Sequence, residues 1–335
     1  MKHIHIVGFG IAGALLAREL LRHGVRVTVN TIVDSESSSL VAAGMITPIT
    51  GKRLKPTWRG PELFAIAQQV YQEASQQSAT AIWHDWMLRR VFREAQMQTW
   101  FEERRDRGEF GHLDVRAISQ GMHNGTFYPY GGFEHAGVAT VDLRAFIDYV
   151  SRKIEFVPDV QDHADAVVWC TGYKALHHEL WSWLPIEPSK GEILDVVIDG
   201  VDIDYILTNG TWILPVLEDG VRKANHYRIG ATHDWDDHDP NPTIKARDVL
   251  MEQARMLVDA EITVIRHRAA IRPSTQFKRP LAGQHPKDVQ HYVFTGLGTK
   301  GALQGPWAAK QLASCLLDGE PLDQEIDCRR WWKDA

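Results

Sequence analysis

Gly8, Gly10 and Gly13 stand at the spacing G-x-G-x-x-G within I-V-G-F-G-I-A-G. Each position calls for glycine for its own reason. The first allows a tight turn off a strand, the second lets a pyrophosphate approach the backbone, and the third lets the next helix pack closely on the sheet. A helix that opens at such a turn presents free N–H groups, here those of Ile11, Ala12 and Gly13, and a positive dipole end to an anion. The chemistry implied is dinucleotide binding, with NAD and FAD equally served at this point. A second turn of this kind, G-L-G-T-K-G at 296–301, also runs into an apolar helix. A third segment, A-A-G-M at 42–45, is small enough for backbone to approach a flat ligand, although it also reads as an ordinary loop with a buried helix start.

The flanking elements strengthen the first turn. His3–Val7 is an apolar strand, the stretch that follows the turn reads as an amphipathic helix, and Val25–Val29 is a second strand. Further along, residues 61–107 read as helical, from apolar spacing at Leu63, Ile66, Ala67, Val70 and Tyr71 and from Pro61 in a first turn. The glycine-rich stretch 108–137 reads as strands and turns. Val141–Val150 reads as a helix with Asp142 near its start, and Asp165–Thr171 as a short buried strand ending at Gly172. Gly191–Ile198, Trp212–Leu217 and Tyr227–Thr232 read as antiparallel strands, 243–260 as a helix, and Tyr292–Thr295 as a strand. Nucleotide-type elements thus lie at both ends and in the middle. The expected fold is α/β: a Rossmann-like lobe built from residues 1–55, 138–185 and 265–335. A substrate lobe on a mixed antiparallel sheet is inserted as 56–137 and 186–264.

Bulk properties narrow the function classes. The chain has 335 residues, ordinary apolar and charged content and a net charge of −6, so nucleic acid is not an expected partner on electrostatic grounds. Cys170, Cys315 and Cys328 lie far apart without metal spacing, and the sixteen histidines form no H-E-x-x-H, so no metal is expected. The start of the chain enters a strand directly and no run of 18 apolar residues occurs. The expectation is a cytoplasmic protein with free thiols and no membrane span.

Six ordered motifs resemble the D-amino-acid oxidase superfamily of flavoenzymes, in its glycine oxidase and sarcosine oxidase branch. They are G-F-G-I-A-G (8–13), S-S-S-L-V-A-A-G-M-I-T-P (37–48), V-V-W-C-T-G (167–172), K-G-E-I-L (190–194), I-R-P-S-T-Q-F-K-R-P-L-A-G (271–283) and G-L-G-T-K-G-A-L-Q-G-P (296–306). The resemblance covers nearly the whole chain. It implies a GR2-type FAD lobe and noncovalent FAD. Its implied reaction is oxidation of a C–N bond by hydride transfer to flavin N5, after which the imine hydrolyses. Oxygen or another acceptor would reoxidise the flavin. Neighbouring chemistries in such enzymes are 2-hydroxy acid or alcohol oxidation, tRNA modification, and flavin binding without turnover.

By the same resemblance, Arg272 is the arginine that pairs with a substrate carboxylate. Gly8, Gly10, Ile11, Ala12, Gly13, Thr31, Ala43, Gly44, Met45, Gly172, Gly298, Thr299, Lys300 and Gly301 hold the cofactor. The helix opening at Gly301 points its N-terminus at the flavin N1–C2=O edge, where Lys300 adds a positive charge. Lys190 is a second candidate near the ring. Trp212, His233 and Trp235 fall where the substrate pocket is built, and His233 follows the strand Y-R-I-G-A-T directly. Two departures stand out. Thr31, after Asn30, replaces the usual acid that binds the ribose, with Asp34 nearby as a substitute, and Phe277 replaces an acid after R-P-x-T.

Overall fold

The computed structural model describes residues 2–31, 37–111 and 113–333. His3–Val7 lies in the centre of a six-stranded sheet and is buried along nearly its whole length, as a strand covered on both faces must be. In order, the sheet consists of Glu155–Phe156, Arg26–Asn30, His3–Val7, Ala166–Trp169, His291–Thr295 and Leu281–Gln284. All neighbours are parallel except the last pair. The sheet therefore gathers strands from three separated stretches of chain.

Helices Ile11–Arg22, Gly60–Ser78, Leu143–Ser151 and Gly301–Asp318 pack against one another beside this sheet. The first is almost entirely buried through Ala12, Ala14, Leu15, Leu16, Ala17 and Leu20. It crosses the last helix at Gly305, where a Cβ would lie 2.6 Å from Leu15 Cδ1. The Leu143–Ser151 helix starts at Asp142, whose carboxylate accepts the Ala145 N–H.

The second sheet has nine strands. Its main path runs Ile262–Thr275, Ile186–Ile198, Val221–Gly230, Trp212–Glu218, Ile206–Thr208, Trp83–Val91, Gly132–Val141 and Met45–Ile46, and Val115–Ile118 also pairs with Gly132–Val141. Only the pairing of Ile206–Thr208 with Trp83–Val91 is parallel. Helix Ile244–Arg255 packs on Ile186–Ile198 and Val221–Gly230. It places Leu250, Met251 and Ala254 in a core shared with Leu194, Val196, Ile198 and Ile229.

One sequence expectation is corrected here. Residues 61–107 are not continuously helical: the first helix stops at Ser78 with Ala79 in a left-handed conformation, and Trp83–Val91 is a central strand before helix Ala95–Asp106. Tertiary partners hold the charged side chains of this strand in the sheet. Arg89 bonds Glu134 at 2.9 Å and lies over the Tyr205 ring, while the buried Arg90 donates to the Gly51 carbonyl. Among the described residues no helix is long and apolar enough to cross a membrane, and no cluster of three His, Cys, Asp or Glu is placed to hold a metal.

Candidate cofactor and substrate site

At the first turn the backbone is packed to the limit of what glycine permits. Gly8 has φ +96°, and a Cβ there would meet the Cys170 carbonyl oxygen at 2.7 Å. A Cβ on Gly13 would lie 2.2 Å from the Gly8 carbonyl oxygen, and one on Gly10 would lie 3.0 Å from Ser39 Oγ. Ser39 Oγ also accepts the Ile11 N–H at 2.9 Å. Beside the turn, the buried Thr171 hydroxyl has no hydrogen-bond partner among the described residues, and a Cβ on Gly172, at φ +61°, would meet none of them within 4 Å beyond its chain neighbours. A bare, glycine-lined turn at a helix start, with an orphaned hydroxyl beside it, fits a bound dinucleotide phosphate.

The strand that should reach the ribose ends at Asn30. The Asn30 amide donates to the Pro158 carbonyl, and Thr31 follows half-buried. Asp34 lies outside the described residues.

The second turn meets the first. A Cβ on Gly301 would be 3.5 Å from Ile11 Cγ2, so the N-termini of the first and last helices converge. Thr299 is exposed at the tip, and Gly298, at φ +50°, donates its N–H to the Pro273 carbonyl at 2.9 Å. That bond ties the turn to the strand carrying Arg272. Lys300 precedes the helix, with Nζ 3.5 Å from Thr57 Oγ1. Burial, then Arg279 and Lys278, pull its ammonium down to about 8.

Ala43 and Met45, with Ala231, pack at the edge of an apolar cluster that holds Ile193, Trp212 and Ala270 of the nine-stranded sheet. Between them, Gly44 lies so close to the next strand that a Cβ would sit 2.0 Å from the Val141 carbonyl oxygen. Trp212 is thus a buried wall rather than an open contact. Trp235 is half exposed.

Arg272 stands opposite Ser189 in the antiparallel pair, so it shares a face with Ser189, Gly191 and Ser274. Its guanidinium fills the place of the missing side chain at Gly191, where a Cβ would lie 1.9 Å from Nη2. Nη1 donates to the Lys190 and Thr232 carbonyls, each at 3.2 Å. No carboxylate among the described residues pairs with it. Burial alone pushes the guanidinium down to about 10, which leaves it charged at neutral pH. An enclosed cation without a counter-ion is costly, and a carboxylate ligand relieves that cost. His233 lies within the field of Arg272 and Lys278; burial and these cations pull it down to about 4, so its ring is neutral at pH 7.

Lys190, expected near the ring, points to the other face. Its ammonium is 2.7 Å from Asp237 and 3.7 Å from Glu192. Sequence reasoning also missed Ser39, Thr57, Thr171 and Asp237. Thr171 carried a signal as the residue before the glycine in V-V-W-C-T-G, and Ser39 as part of S-S-S-L-V-A-A-G-M-I-T-P.

The two main sheets and the paired helix starts define a dinucleotide-binding architecture. A family model described as FAD dependent oxidoreductase (DAO) matches residues 3–315, and the chain belongs to this family, with FAD as its cofactor. The chain is 26% identical over 355 residues to the tRNA 5-methylaminomethyl-2-thiouridine biosynthesis bifunctional protein MnmC of Marinobacter nauticus. That match covers 92% of the chain and only 54% of that protein, so the chain spans about half its length. It is 22% identical to the glycine oxidase of Pseudomonas aeruginosa, over 96% of each. Among solved structures, iminodiacetate oxidase from Chelativorans matches with a TM-score of 0.79 at 20% identity, over 97% of this chain and 98% of the other, which shows the shared fold.

Proposed function

We propose that the chain oxidises a C–N bond in a small amine or amino acid that carries a carboxylate. The observation that carries this reading is Arg272, a charged guanidinium with no acid partner among the described residues, tied through Pro273 to the Gly298 turn. In this reading residues 1–55, 138–185 and 265–335 form the cofactor lobe, and 56–137 and 186–264 the substrate lobe. Gly8, Gly10, Ile11, Ala12, Gly13 and Gly172 hold the phosphates of noncovalent FAD, and Thr31 faces the adenosine end. Ala43, Gly44, Met45, Gly298, Thr299, Lys300 and Gly301 border the flavin. Bound FAD supplies the two-electron acceptor.

Arg272 grips the substrate carboxylate through the donors that the Lys190 and Thr232 carbonyls do not use, and so fixes the α-carbon. His233, neutral at working pH, offers a hydrogen bond without a competing charge. Lys300 and the two helix starts favour negative charge at the cofactor edge beside them. No side-chain base is assigned. The imine product leaves to hydrolyse in water. The glycine oxidase relative and the iminodiacetate oxidase neighbour support a carboxylate-bearing amine.

A second reading is an amine carried on tRNA, favoured by the MnmC match over 92% of the chain and opposed by the net charge of −6. The test is turnover of the FAD-loaded protein with glycine, N-methylglycine and iminodiacetate, with 2-hydroxy acids and tRNA bearing an aminoalkyl-modified nucleoside as comparisons. Formation of a 2-oxo acid from the amines alone is expected. Turnover confined to hydroxy acids or to tRNA, or none at all, would replace this reading.

A further inference from the structure

We propose that Asp237 is a positioning residue for Arg272, acting through the 231–243 segment; this rests on Arg272 being the carboxylate anchor. Lys190 and Arg272 lie on opposite faces of the same strand pair. The Lys190 side chain is only 1% exposed, and the close counter-ion of its ammonium is Asp237 Oδ2 at 2.7 Å. Glu192 is 3.7 Å away and already engaged. Its two oxygens accept the Thr243 N–H and hydroxyl at 2.8 and 2.9 Å, and His267 Nε2 lies 2.8 Å from Oε2.

The other Asp237 oxygen accepts the Asp239 N–H at 2.8 Å, and Asp234 Oδ1 accepts the Asp236 and Asp237 N–H groups. The turn is therefore a closed unit clamped to a buried cation. The same segment is stitched to the sheet edge. Lys190 N–H donates to the Asp234 carbonyl at 2.7 Å, Asp234 N–H donates back at 3.0 Å, and the Glu192 N–H donates to Thr232 Oγ1 at 2.9 Å. The two carbonyls that orient Arg272, those of Lys190 and Thr232, sit on the two sides of this seam. Releasing Asp237 frees the segment, lets the Thr232 carbonyl drift, and lets the guanidinium rotate away from the carboxylate.

The test follows flavin reduction by N-methylglycine and binding of acetate, read in the flavin absorbance, together with hydrogen exchange of the 231–243 peptide. Asp237→Asn should raise the apparent Kd for both probes at least tenfold and speed exchange in that peptide, with the limiting reduction rate within about twofold. Asp237→Glu should restore most of the affinity. If Asp237→Asn does not fold, Lys190→Met combined with Asp237→Leu replaces the pair by apolar contact and should show the same loss of affinity. Unchanged affinity in a folded, FAD-replete variant overturns the proposal while Arg272→Ala still weakens both probes. If Arg272→Ala leaves both probes unaffected, the carboxylate reading falls and takes this proposal with it.

Discussion

The Arg272 guanidinium occupies the space that a side chain at Gly191 would fill: a Cβ there would stand 1.9 Å from Nη2 and 2.0 Å from Cζ. The two residues lie on adjacent antiparallel strands, and the glycine is what lets the cation lie flat against the sheet. Gly191→Ala should therefore expel the guanidinium while leaving the cofactor turns untouched. The expected outcome is full FAD content with a KM for a carboxylate-bearing amine raised by at least tenfold, measured by steady-state turnover.

Arg272→Ala removes the charge itself. Hydrogen bonds to a charged group are worth about 1.5–3 kcal/mol, so KM should rise by roughly 10- to 150-fold. Arg272→Lys keeps the charge and loses the fork, and should recover only part of the affinity. Titration of turnover against substrate concentration decides this.

The first turn makes a prediction about the cofactor alone. Gly13→Ala forces a Cβ to 2.2 Å from the Gly8 carbonyl oxygen. Such overpacking costs about 1–3 kcal/mol and splays the helix from the strand at the phosphate site. FAD affinity should fall roughly tenfold or more, read by flavin fluorescence on dialysis.

The two glycine turns were legible from spacing because each is local: strand, turn and helix follow within a few residues. Arg272 was legible only through its motif. Its holding groups were not, because the Lys190 and Thr232 carbonyls are backbone atoms that carry no sequence signature. Asp237 sits in the acidic run D-W-D-D-H-D, where nothing marks one carboxylate as the partner of a lysine 47 residues earlier. Trp83–Val91 was read as helix for the same reason. Its partner strand begins at Gly132, and the groups that hold its arginines, Glu134, Tyr205 and the Gly51 carbonyl, lie far along the chain.

Lys300 predicts a pH effect. Its ammonium, lowered from the ordinary 10.5 to about 8, is charged below that pH and neutral above it. Any stabilisation it lends to an anionic cofactor edge is present at pH 7 and lost as pH rises through about 8. Lys300→Met should remove that step from the pH profile of the limiting reduction rate, and Lys300→Arg should move it beyond the measured range.

His5 predicts an effect on stability. It is fully buried beside Thr28, and burial lowers it from 6.5 to about 4. Between those values the unfolded chain binds a proton that the folded chain refuses. Stability should therefore fall as pH drops from 6.5 to 4, with a contribution of up to about 1.4 kcal/mol per pH unit from this group. His5→Val should flatten the pH dependence of the urea midpoint across that window.

The most direct measurement is anaerobic titration of the FAD-loaded protein with carboxylate-bearing amines, followed by the visible flavin absorbance. Stoichiometric bleaching by at least one such amine is expected, with Arg272→Ala needing far higher concentrations for the same bleaching. Flavin that stays oxidised with every primary and secondary amine tested would contradict the assignment.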